Sequence, residues 1–164
     1  NNFMEVIKDK KSQSAFKVIE GDSVILSAKG IKWYKSDLSY EHSDCKCEVI
    51  KANFLGTKSN IFKNGILFGE IIWHWSKGHT LKLAEDNKSF YLERRGKWYK
   101  TNHSYALLNT INSEVELVLN YNLIKWKEII TIDYDSPEQD LDKVLFSIFA
   151  FNKLQSDAGA IVSG

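Results

Sequence analysis

The sequence predicts a mainly β protein, a closed antiparallel β-barrel of about twelve strands around a buried hydrophobic C-terminal helix. Three observations predict this fold. Turn signals recur at short intervals along most of the chain, and runs of β-branched and aromatic residues lie between them. Near the C-terminus the pattern changes to one long apolar segment. The length of 164 residues suits a single domain over residues 1–164.

The predicted strands follow one another with short connections, which is typical of an antiparallel meander. They cover residues 16–19, 24–28, 31–35, 48–53, 58–63, 66–75, 80–84, 89–94, 97–109, 115–121 and 125–133. The strongest turn signal is Asn64-Gly65, because both central residues of a type I′ turn need a positive φ.

Alternation of apolar and polar residues predicts which strand faces are buried. The odd positions of residues 115–123 are all apolar, so one face of that strand is expected to lie in the core. Trp126 shares its parity with Ile130 and is therefore expected to face the core as well. Residues 66–75 have apolar side chains on both faces, which predicts a hairpin arm covered on both sides.

A helix is predicted from Pro137 to about residue 155. Ser136 suits the N-cap, proline suits the first helical position, and Gln139 can complete a capping box. Residues 144–151 are apolar nearly all round, so this helix should be surrounded by protein. A barrel of about a dozen strands has a lumen wide enough for one helix, whereas about eight strands are filled by side chains alone.

The two cysteines, Cys45 and Cys47, are separated by a single residue. A disulfide across one intervening residue would be badly strained, so both are expected to be free thiols. Reduced thiols favour a reducing, cytoplasmic compartment.

Three segments carry a resemblance to a known family: residues 30–34, residues 53–58, and the run from residues 132–135 into residues 144–148. With them the chain resembles the tubby C-terminal-like superfamily, of the LURP-one-related type, which also includes the phospholipid scramblases. The resemblance implies a β-barrel with a central hydrophobic helix. It also implies a role, since tubby domains bind phosphoinositide head groups through basic surface residues. No apolar run here matches the scramblase transmembrane helix, so scramblase activity is not carried over.

Basic residues interleaved with aromatic ones are the most suggestive functional feature. The candidate ligand-binding residues flank one turn and surround Trp98 and Tyr99. They are Arg94, Arg95, Lys97 and Lys100. Such residues could bind a phosphate while an aromatic ring meets a membrane surface. The alternative is a solvated strand face whose lysines discourage edge pairing.

The charge balance restricts the partners that are expected. Lys and Arg number 22 and Asp and Glu number 21, which argues against general nucleic-acid binding. The leading hypothesis is a non-enzymatic intracellular module that binds an anionic lipid head group at a membrane surface, or a protein partner. The alternatives are a structural or interaction domain without a small ligand, and an unrecognised hydrolase or metal-dependent enzyme.

Metal and catalytic sites find little support in the sequence, and no cofactor is expected. A zinc site made of His74, His79 and the two cysteines is not expected, because their spacing differs from that of known zinc sites. A cysteine nucleophile activated by His42 would also need a third group to orient the histidine. The acidic residues near the predicted helix lack the glycine of a calcium loop and are explained by helix capping. They are Asp133, Asp135, Glu138, Asp140 and Asp142.

Overall fold

The computed structural model describes residues 2–8, 15–30, 38–42, 45–53, 55, 57–74, 78–84, 88–95, 102–134, 142–148 and 150–151. Within these ranges, twelve antiparallel strands form a closed barrel, which confirms the predicted architecture of the sheet. The strands are β1 (Asn2–Lys8), β2 (Phe16–Glu20), β3 (Ser23–Gly30), β4 (Leu38–His42), β5 (Cys45–Lys51), β6 (Lys58–Lys63), β7 (Ile66–His74), β8 (Gly78–Leu83), β9 (Ser89–Arg95), β10 (Asn102–Asn109), β11 (Val115–Ile124) and β12 (Lys127–Tyr134).

Every strand pairs with the strands next to it in sequence, and the first strand closes the barrel against the last. The closing register runs from Asn2 opposite Tyr134 to Val6 opposite Ile130. Closure leaves no free sheet edge among these strands, so no backbone row is left open to pair with another chain.

Two of the tight hairpin turns have positive φ at both central residues, the pattern of a type I′ turn. Asn64 and Gly65, with φ of 51° and 83°, join β6 to β7 as predicted. Lys125 and Trp126, with φ of 51° and 65°, join β11 to β12 at a place where the sequence predicts strand. Trp126 is 94% exposed, so the expectation that it faces the core is wrong. The reason is that β12 begins only at the next residue.

Other predicted elements differ in detail. The strands β1 and β4 were not predicted. The expectation that residues 66–75 are covered on both sides is wrong at Ile66 and Leu67, which directly follow the turn and are exposed. The predicted strand at residues 31–35 and the first part of the strand at residues 97–109, up to residue 101, lie outside the described residues.

The described part of the C-terminal segment is helical over residues 142–148 and 150–151, and we term it α1. Its described side chains from Val144 onward are buried, including Leu145, Phe146 and Phe151. The predicted flanks at residues 137–141 and 152–155, the acidic residues there, and Phe149 lie outside the described residues. No helix among the described residues has the length and apolar character needed to span a membrane.

The first turn of α1 is held by polar contacts to two strands. The Tyr40 hydroxyl on β4 donates to Asp142 Oδ1 at 3.3 Å, and Lys63 Nζ on β6 lies 3.0 Å from Asp142 Oδ2. Burial lowers the pKa of Lys63, but the hydrogen bond and charge of Asp142 outweigh it, so the net shift is upward. Burial and the Asp142 charge raise the pKa of Tyr40.

Further contacts of α1 reach other strands. Lys143 Nζ lies 3.4 Å from Glu116 Oε2 on β11 and 4.5 Å from the Phe90 ring centroid on β9. The Phe151 ring packs edge-on against Tyr105 of β10, with ring centroids 5.3 Å apart, and tilted against Tyr121 of β11 at 5.5 Å. The helix therefore contacts strands that are far apart around the barrel.

We expect Phe151→Ala to lower the free energy of unfolding by about 3–5 kcal/mol, because it empties a fully buried site between two tyrosines. Urea denaturation followed by far-ultraviolet circular dichroism measures this change. The control is Ile111→Ala at an exposed turn, which should change stability by less than about 0.5 kcal/mol. Equal small effects of both substitutions would contradict the buried position of Phe151.

Candidate functional site

The barrel has two ends of different charge. We call the end at which Lys125 and Trp126 join β11 to β12 the basic end, because among the described residues its cations far outnumber Glu93 and Glu128. These cations are Lys8, Lys17, Lys29, Lys51, Lys58, Arg94, Arg95, Lys125 and Lys127.

The opposite end, which we call the acidic end, carries most of the described carboxylates. They are Glu20, Asp22, Glu41, Glu114, Glu116, Asp133 and Asp142. Five described lysines also occur at or near this end, namely Lys46, Lys63, Lys82, Lys88 and Lys143. Of these, Lys63 pairs with Asp142 and Lys143 with Glu116. The barrel is therefore electrically polarised along its axis although the formal net charge of the chain is only +1.

The sequences of the connections between strands follow the same division into a basic end and an acidic end. The segments that leave β1, β3, β7 and β9 contain Asp9 and Asp37 and several lysines. Those lysines are Lys10, Lys11, Lys32, Lys35, Lys77, Lys97 and Lys100. The segments that leave β4, β8 and β12 before the next element contain Lys88 and several acids. Those acids are Asp44, Glu85, Asp86, Asp135, Glu138 and Asp140.

The candidate residues Arg94 and Arg95 both lie at the end of β9, within the basic end, and are exposed. They occupy consecutive strand positions and so project from opposite faces of the sheet. Arg94 lies opposite the buried Tyr105 in the register, whereas Arg95 Nε lies 3.9 Å from Glu93 Oε2. The other two candidates, Lys97 and Lys100, lie outside the described residues.

Five side chains on the lumen side of adjacent strands form a continuous polar row at the basic end, which we call the mouth row. They are Arg94, His103, Tyr121, Glu128 and Lys8, one from each of β9, β10, β11, β12 and β1. Arg94 Nη2 lies 3.2 Å from His103 Nδ1, and the His103 ring stacks on Tyr121 with centroids 6.2 Å apart. The Tyr121 hydroxyl donates to Glu128 Oε1 at 3.4 Å, and Lys8 Nζ lies 3.8 Å from Glu128 Oε2.

The mouth row sits over the end of α1, since Lys8 Nζ is 5.2 Å from the Phe151 ring centroid. Burial lowers the pKa of Lys8, and Glu128 opposes this shift. Burial and then the Arg94 charge lower the pKa of His103. A guanidinium has no acceptor, so the His103 ring nitrogen must accept from Arg94 and the ring is neutral in this contact.

A cavity of about 500 Å³ extends along β1 to β4, from Lys8, Lys17 and Lys29 toward Glu41. Lys8, Lys17 and Lys29 line it together with Phe16 and Tyr40. Lys17 and Lys29 are exposed there, so their ammonium groups can reach a compact anion such as a phosphate, whereas Phe16 and Tyr40 are buried. Glu41 also lines this cavity, so its field is not purely positive.

The thiols and histidines do not form a centre with the described residues. Both cysteines are free, as their spacing predicts. Cys45 begins β5 at the acidic end, whereas His79 is on β8 near the basic end, and the two strands are not neighbours. In the described ranges no three His, Cys, Asp or Glu side chains are grouped so that they could hold a metal ion. Asp133 accepts a hydrogen bond from Asn120 Nδ2 at 2.8 Å, so it too has a structural partner.

Among the described residues, the most exposed aromatic side chain of the basic end is Trp126, which was expected to face the core. The triplet Lys125, Trp126 and Lys127 was assigned to a strand, because alternation suits that assignment. The four polar or aromatic residues between the flanking apolar runs indicated a turn, but only the register of Ile124 opposite Lys127 places it at Lys125 and Trp126.

Comparison with protein-family models, curated proteins and solved structures gave no match for this chain. Conclusions about its function therefore depend on the charges, contacts and exposed groups described above.

We expect Arg94→Ala to raise the pKa of His103 toward its ordinary value of 6.5, because one of the two causes that lower it is removed. Titration of the histidine ring protons by NMR measures the midpoint. The matched control is Arg95→Ala, which removes the same charge from the outer face and should leave the midpoint nearly unchanged.

The sign for stability follows from the same shift. The lowered pKa means that the folded state favours neutral His103. This preference contributes fully to the free energy of unfolding above pH 6.5, the ordinary pKa of histidine, and the contribution is lost as the pH falls through the lowered pKa of the folded state. Identical midpoints in wild type and Arg94→Ala would show that the contact with Arg94 does not govern the titration.

Proposed function

We propose that this protein is a non-catalytic binding module whose basic end recognises anionic lipid head groups at a membrane surface. The observation that carries the proposal is the concentration of cations at one end of a nearly neutral barrel. Each Lys or Arg near an anionic membrane surface contributes about 1 kcal/mol of attraction, so several in one plane are sufficient for reversible binding. The acidic end would face away from the membrane in this orientation.

We also infer that α1 passes through the lumen and fills it. This inference is supported by its buried side chains and by its contacts with β1, β4, β6, β9, β10 and β11. A helix in that position leaves no room for an internal ligand of any size. Binding is then expected at the rim, where Arg94, Arg95 and the lysines of the cavity lie. This arrangement supports the proposed relation to the tubby-like superfamily.

A second candidate, a protein partner bound at the acidic end, is favoured by one observation. Ile66, Leu67 and Ile111 are exposed at that end, where clustered carboxylates would be repelled by an anionic membrane. The two candidates use opposite ends of the barrel, so variants of each end distinguish them.

We expect the wild-type protein to sediment with phosphatidylcholine vesicles that contain phosphatidylserine or a phosphoinositide, and not with phosphatidylcholine alone. Binding should decrease steeply with added salt, because exposed charges are screened beyond a Debye length of about 10 Å at 0.1 M. The double variant Arg94→Glu/Arg95→Glu should lose at least about tenfold in affinity.

The control for this experiment is Lys46→Glu/Lys82→Glu, which makes the same charge change on exposed residues nearer the acidic end. It should bind vesicles almost as well as the wild type, and thermal unfolding should show that both variants are folded. If the wild type ignores anionic vesicles at low salt, the lipid proposal is discarded and the protein-partner candidate takes its place. Equal losses in both variants would mean that net charge matters and the basic end does not.

A further inference from the structure

We propose that the hairpin tip formed by Lys125 and Trp126 is a membrane anchor, in which the indole of Trp126 enters the interface of an anionic bilayer. This inference rests on the proposed function and deepens it, because it assigns the part of the basic end that enters the lipid. It depends on three properties of the tip: its backbone, its exposure and its position.

The backbone of the tip is unfavourable for the residues that form it. Consecutive left-handed residues suit glycine and asparagine, and a second turn of this type among the described residues has Asn64 and Gly65. At Lys125 and Trp126 the same conformation carries a long side chain and a bulky one, each of which is disfavoured by clashes of its Cβ. Smaller residues would form this surface turn with less strain, so folding alone does not explain Lys125 and Trp126. Locally strained conformations are concentrated at functional sites.

The side chains of the tip are presented to solvent. Trp126 is 94% exposed, and Ile124, Lys125 and Lys127 around it are exposed as well. The indole therefore adds almost nothing to the core, although tryptophan is the side chain with the largest apolar area to bury. At a bilayer its ring would occupy the head-group region, where tryptophan is preferred, and the flanking lysines would extend toward lipid phosphates.

The position of the tip selects an anionic bilayer as the partner. The tip joins β11 to β12, and β9 with Arg94 and Arg95 is two strands away in the same sheet, at the same end of the barrel. Leu55, which is also exposed, follows β5 at this end on the opposite side of the rim. The exposed Ile111 projects from the acidic end, where the charges oppose contact with an anionic surface. Apolar and cationic groups thus coincide at the basic end.

The test is Trp126→Gly, which removes the indole and gives the turn a residue that accepts a φ of 65°. Its thermal unfolding midpoint should be equal to or higher than that of the wild type. Its affinity for vesicles of phosphatidylcholine with a minor fraction of phosphatidylserine should fall by about tenfold, which corresponds to about 1.4 kcal/mol. The control Ile111→Ala, which removes an exposed apolar side chain at the other end, should bind like the wild type.

Tryptophan fluorescence supplies a second measurement. Anionic vesicles should shift the wild-type emission to the blue, and brominated lipids should quench it, whereas both effects should be clearly smaller in Trp126→Gly, which keeps the other four tryptophans. If Trp126→Gly binds as tightly as the wild type while Arg94→Glu/Arg95→Glu does not, the anchor is overturned and the proposed lipid function stands. If the wild type does not bind these vesicles, both are overturned. A lowered affinity without any fluorescence change in the wild type would also overturn insertion of the indole.

Discussion

Closure of the barrel by the pairing of β1 with β12 is the constraint on which the remaining structure depends. This pairing joins residues near the two ends of the described chain, such as Met4 opposite Ile132, and both of these side chains are buried. A closed sheet of this size encloses a lumen, and an empty apolar lumen would forfeit the packing of every side chain that faces it. The position proposed for α1 inside the lumen would meet this requirement, because a helix surrounded by strands needs no polar face, and the described side chains of α1 from Val144 onward are buried.

The sequence predicted the features of the fold that depend on local chemistry. The Asn64-Gly65 turn is confirmed, since it follows from neighbouring residues alone. The burial of the odd positions of β11 is confirmed at Leu117 and Leu119 but wrong at Val115, which is exposed. Helical structure in the C-terminal segment is confirmed at residues 142–148 and 150–151. The strand β1 was missed because one of its two partners, β12, lies more than a hundred residues away, and β4 because Tyr40 is its only described core residue. Long-range pairing thus supplied what local pattern could not.

The candidate site shows the same division between local pattern and tertiary structure. Arg94 and Arg95 were identified from basic residues interleaved with aromatic ones around one turn, and strand alternation sends their side chains to different faces of the sheet. Arg94 belongs to the mouth row, which joins five strands and could only be found once their register was known. Trp126 was misplaced because nothing in its residue type indicates a positive φ; the short span between the flanking strands imposes it.

The net charge of the chain does not describe how its charges are distributed in space, and the topology explains why. In a closed antiparallel meander, the connections after odd-numbered strands lie at one end and those after even-numbered strands at the other. Positive and negative residues can therefore cancel in the net charge of the chain and still lie at opposite ends of the barrel. This happens when lysines are concentrated after strands of one parity and acids after strands of the other. Here lysines recur after β1, β3, β7 and β9, and acids recur after β4, β8 and β12. A formal charge of +1 then coexists with a strongly polarised molecule, and the sign of each end determines which surface it can approach.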